Sequence, residues 1–180
     1  LDPKKTTILL GTVFVFFLAL SYLENMFFFT LLVDILKNPL LSILLFFTHN
    51  VLVISLILLG MTFYVNLVLL NFFKGEKYAN IILEHPRPFA ITFTTMIIFL
   101  SILRGSSLIS GTVIVEYLPL ILLLSAPQGI IEGYGIYLTL KKTLSRTMAL
   151  KDLAFIYALF FIAALMEVGF INLMTFISYT

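Results

Sequence analysis

The residues able to do chemistry in this chain are few, and most of them interrupt apolar runs. Glu132 lies in the segment 125–140, SAPQGIIEGYGIYLTL, with Gln128 one helical turn before it. Glu116, Glu167, Asn50 and Asn66 interrupt or border other apolar stretches, and His49 and Arg104 stand near the ends of theirs. Hydrocarbon solvates ionisable groups poorly, so each such residue needs a partner or a task. A carboxyl beside a break in a helix is one way that transporters build a substrate site. The same carboxyl can serve as a hydrogen-bonding contact between helices. Both readings stay open for Glu132 on spacing alone.

The surroundings of these residues fix the medium. Of 180 residues, 61% are hydrophobic and 11% charged, and the mean hydropathy is +1.14. A soluble domain of this size would have to hide more apolar surface than its volume allows. The expected fold is therefore all-α, a polytopic transmembrane bundle forming one membrane domain over residues 1–180, with the lipid bilayer as its first partner. Nineteen Phe and eight Tyr but no Trp must supply any aromatic belt. The chain has no cysteine, which excludes disulfides and thiolate sites. The net charge of +2 gives no nucleic-acid footprint.

A span needs roughly 20 apolar residues. Five stretches qualify, at about residues 6–23, 47–73, 88–103, 112–140 and 153–179. The first follows Lys4 and Lys5 but is too long for a signal-peptide core and lacks a small-x-small cleavage site, so it is expected to remain as a span. The fourth contains Pro119 and Pro127, and Pro127 is expected to break it, since proline removes a backbone donor. Residues 26–46 are apolar but carry Asp34, Lys37, Asn38 and Pro39 in their middle. Charges at mid-bilayer are costly, so this stretch is expected to form two short interfacial or re-entrant helices, the second opened by Pro39.

Five spans place Lys4, Lys5, Lys74, Lys77, Arg87, Lys141, Lys142, Arg146 and Lys151 on one side and only Lys37 and Arg104 on the other. That asymmetry puts the N-terminus in the cytoplasm and the C-terminus outside a multi-pass cell (plasma) membrane protein.

Helical rise sorts the polar residues by depth. An inner set holds Asn66, Gln128 and Glu132, with Asn66 expected to hydrogen-bond the Glu132 carboxyl. An outer set holds His49, Asn50, Arg104, Glu116 and Glu167. Arg104 and Glu116 flank residues 105–111 and are expected to pair across a hairpin, and Arg104 or His49 is the expected partner of Glu167. Gly129 and Gly133 form a GxxxG pair that allows close helix packing, within the chain or in a homo-oligomer.

Other chemistry lacks its residues. There is no HExxH and no phosphate-binding loop with a following Lys and Ser/Thr. His85 lies in a Pro-flanked loop, EHPRP, and His49 alone makes no metal site. Ser106 and Ser107 have no histidine in a neighbouring span to act as base. No catalytic, cofactor or metal site is expected.

Three features together carry a family resemblance: Thr48-His49-Asn50 at the start of a long span, Gly60 within it, and the later signature Pro127-Gln128-Gly129-Ile130-Ile131-Glu132. Over roughly residues 40–140 the chain resembles the stage II sporulation protein M-like integral membrane proteins. Their signature has His where Gln128 stands and Asn where His49 stands, which puts in doubt any role that needs an imidazole there. The resemblance implies a non-enzymatic scaffold or assembly component with membrane or cell-envelope protein partners. The alternative is a transporter or channel subunit using Glu132, Glu116 and Glu167.

Overall fold

In the computed structural model the backbone is described for residues 2–35, 38–73, 80–110 and 115–179, and the side chains for the same residues except 29–34, 104–110, 117, 120, 121, 124 and 173–179. The described chain is helical: α1 (Pro3–Ile35), α2 (Pro39–Leu69), a single-turn α3 (Ile81–Glu84), α4 (Pro86–Ser110), a 3-10 turn (Val115–Tyr117), α5 (Leu118–Leu144) and α6 (Leu150–Tyr179). Among the described residues, four helices carry stretches long and apolar enough to cross a membrane: Pro3–Phe28, Pro39–Leu69, Pro86–Leu103 and Leu150–Asn172. The chain is a multi-pass membrane protein of all-helical fold. The fifth long helix, α5, has 27 residues and carries Gln128, Glu132 and three glycines.

Three expectations about continuity are corrected. Residues 26–46 do not form separate short helices, because α1 runs unbroken to Ile35 and Pro39 begins a helix that continues to Leu69. The 33 residues of α1 extend about 50 Å, well beyond a hydrocarbon core of about 30 Å. Asp34 and Asn38 therefore fall at the tip of a helical hairpin. The tip is closed locally. Asn38 Oδ1 accepts from the amides of Leu40 and Leu41 at 3.1 and 3.3 Å, and the Ser42 hydroxyl donates to the Ile35 and Asn38 carbonyls at 3.0 Å each. Pro39 takes the first helical position, as expected, where its missing N–H costs nothing.

Nor does Pro127 break α5. It sits inside one helix from Leu118 to Leu144. Neighbouring helices hold a proline-containing span together where an isolated helix would open. Residues 105–110, expected to lie between the two arms of a hairpin, instead continue α4 through Ser110.

Named contacts give the direction of each helix. Gly11 meets Phe63, Gly60 meets Phe14 and Phe28 meets Phe46, so α1 and α2 are antiparallel. Ser55 bonds Tyr157 at 3.0 Å and Phe47 packs on Phe161, so α2 and α6 are antiparallel. Asn50 pairs with Glu132 while Ile54 and Ile136 share one core, so α2 and α5 run parallel. The main core is Ile54, Ala90, Ile136, Leu140, Ile156 and Phe160, drawn from α2, α4, α5 and α6. α5 packs against all three of those partners, whereas α1 packs chiefly on α2.

Connections at the basic end are tight. Arg146 adopts a left-handed φ of 55°, and the Thr147 amide returns to the Lys142 carbonyl at 2.9 Å, closing α5. Asp152 then caps α6 by accepting from the Ala149 amide at 3.0 Å and pairs with Lys142 at 2.9 Å.

Candidate functional site

One α2 turn organises the polar residues. His49 and Asn50 are consecutive, so their side chains leave the helix about 100° apart. His49 faces α1, where its Nδ1 lies 3.0 and 3.2 Å from the two Glu24 carboxyl oxygens. The imidazole also lies against the Phe28 ring, with centroids 4.8 Å apart. Asn50 faces α5. Its Nδ2 donates to Glu132 Oε1 at 3.3 Å, the long end of the hydrogen-bond range. Asn50 is 9% exposed. α5 and α6 run antiparallel, with Gly135 at Phe160 and Lys142 at Asp152, so Glu167 of α6 lies about one helical turn from the level of Glu132. Asn50, Glu132 and Glu167 thus bring α2, α5 and α6 to one polar layer, and the Glu24–His49 pair extends it to α1.

Small residues make this approach feasible. A Cβ on Gly135 would lie 2.5 Å from the Phe160 ring, and one on Gly133 would lie 2.6 Å from Ile98. Gly133 is therefore packed against α4 inside the chain. A Cβ on Gly129 would meet nothing within 4 Å, so this glycine faces open space. The expected GxxxG pair does not form one outward face.

Two pairings differ from expectation. Asn66 does not reach Glu132; its Nδ2 donates to the Thr62 carbonyl of its own helix at 2.8 Å. Because α2 and α5 are parallel with Asn50 level with Glu132, Asn66 lies about 24 Å further along the axis. His49 is engaged by Glu24, and Glu167 neighbours Glu132 instead. The Arg104 side chain lies outside the described residues, so its pairing with Glu116 or Glu167 does too; Glu116 is exposed on the 3-10 turn. Gln128 is half-buried one turn before Glu132, and His85 is exposed at the α3–α4 junction.

Glu24 is the residue that sequence reasoning missed. It follows the apolar stretch 6–23 and reads as no more than its end. A signal was present: folding the chain about Lys37 places residue 24 opposite residue 49 or 50. Among the described residues no three His, Asp or Glu side chains are grouped to hold a metal ion.

Comparison with known proteins returns no match to a family model, a curated protein or a solved structure.

Proposed function

We propose that this chain is a non-enzymatic scaffold or assembly component of a membrane complex, related to the stage II sporulation protein M-like proteins. The observation that carries the reading is the Asn50–Glu132 hydrogen bond. It joins side chains 82 positions apart, one from each of two of the three features that carry the resemblance. A polar joint between helices is the use that such side chains most often have in a membrane. The tight 145–149 connection leaves no aqueous domain between α5 and α6, so a partner would be met through helix faces or helix ends.

The helix directions gather Lys4, Lys5, Arg87, Lys141, Lys142, Arg146 and Lys151 at one end of the bundle. Taken as the cytoplasmic end, this puts the N-terminus inside and the far end of α6 outside a plasma membrane. The partners proposed are membrane or cell-envelope proteins.

A second reading, proton or cation transport, is favoured by one observation, the placing of Glu132 and Glu167 within about one helical turn of the same level. Glu132→Gln separates the two. On the scaffold reading the variant lowers thermal stability in detergent, and wild type and variant proteoliposomes show the same passive flux. Flux in the wild type that Glu132→Gln abolishes, with the melting temperature unchanged, would overturn that reading in favour of transport.

A further inference from the structure

At the basic end of the α1–α2 hairpin the two helices part around a cavity of about 510 Å³. Its wall is apolar, formed by Gly11, Phe63, Leu67 and Phe72 among others, with the buried Thr7 and the exposed Lys4 as its polar members. The space beside Gly11 is taken by the Phe63 ring, and Phe72 joins the lining from the turn that ends α2. The Thr7 hydroxyl is engaged by the Pro3 carbonyl at 2.9 Å. Among the described residues no carboxylate pairs with the Lys4 ammonium.

From this we infer that the groove is a binding site for one anionic phospholipid of the adjoining leaflet, with an acyl chain between α1 and α2 and the phosphate on Lys4. The two halves of the site match the two halves of that molecule. An apolar slot takes a hydrocarbon chain, since each methylene buried contributes about 0.8 kcal/mol. An ammonium at headgroup depth selects negative charge. A free phosphate would leave the apolar wall unused, and a neutral lipid would leave Lys4 unpaired. Lys5 and the other basic residues at this end attract anionic lipid generally. What sets the groove apart is the combination of slot and cation.

The absence of tryptophan allows a clean test. Phe72→Trp places a single fluorophore in the groove wall, at a position already exposed. Phe155→Trp places one on a lipid-facing position of α6 near the same end, as a control for general attraction. Each variant is reconstituted in vesicles containing bromine-labelled phosphatidylglycerol or phosphatidylcholine, and relative lipid affinity is read from quenching. At Phe72→Trp phosphatidylglycerol is expected to be preferred about fivefold, the factor one lysine near an anionic surface contributes. Adding Lys4→Gln is expected to return the ratio to about one, while Phe155→Trp shows a smaller preference that Lys4→Gln leaves alone. Equal quenching by both lipids at Phe72→Trp would overturn the inference. So would a preference that survives Lys4→Gln, or one as large at Phe155→Trp.

Discussion

Helices α1 and α5 sit in the same bundle under opposite conditions. α1 is the more apolar in sequence, yet it turns most of that surface outward, with Ile8, Val15, Phe16 and Phe27 among its exposed side chains. α5 carries proline, glutamine, glutamate and glycine, yet it lies between α2, α4 and α6. In water the ranking would be reversed. In a bilayer the lipid solvates apolar side chains as well as another helix does, so hydrophobicity does not choose the interior. Small residues that let backbones approach and polar groups that need partners choose it instead.

Matched glycine variants test this contrast, because α1 and α5 each offer a glycine to a phenylalanine. Gly135→Ala places a methyl 2.5 Å from Phe160, which is 2% exposed and has no room to move. A loss of about 1–3 kcal/mol, the cost of overpacking, is expected by unfolding in mild detergent. Gly11→Ala places its methyl 2.9 Å from Phe63, but that ring borders the groove and can swing into it. Its loss should be below about 1 kcal/mol. Equal losses at the two sites would remove the distinction between a packed centre and a loosely attached hairpin.

The polar contacts extend the comparison at smaller amplitude. Asn50→Leu breaks the contact to the centre and leaves Glu132 without its donor. A loss of about 1 kcal/mol is expected, within the range of interhelical hydrogen bonds in membranes. Glu24→Gln weakens only the attachment of α1. It should lower global stability by no more than about 0.6 kcal/mol, while amide exchange quickens in α1 and not in α5. Exchange that quickens equally in both helices would show that the hairpin and the centre open as one unit. The smallest effect is expected at Val15→Leu on the lipid face of α1, within about 0.5 kcal/mol of wild type.

Much of the architecture was legible because length and hydropathy report directly on spanning. Apolar runs mark the long helices, and Pro39 marks the start of α2. The segment 26–46 misleads because helices need not end where the hydrocarbon ends. α1 and α2 overrun it, which carries Asp34 and Asn38 out to the hairpin tip. The same overrun misplaces Asn66. Counting depth back from Lys74 and Lys141 treats both as marks of one plane, but α2 stops at Leu69 and α5 continues to Leu144. A shift of a few turns substitutes one asparagine for another. Glu132 was recognisable as the central polar residue, since a carboxyl in an apolar run stands out by itself. Its partner was not, because parallel pairing of α2 and α5 is a tertiary fact that no local pattern encodes.

The central claim is that parallel pairing, with Asn50 rather than Asn66 level with Glu132. The chain has no cysteine, so introduced pairs report without background. Asn50→Cys with Glu132→Cys, treated in membranes with a short bifunctional thiol reagent, is expected to give an intramolecular cross-link at monomer mass. Asn66→Cys with Glu132→Cys, about 24 Å apart along the axis, is expected to give none. Cross-linking of the 66/132 pair and failure of the 50/132 pair would contradict that arrangement.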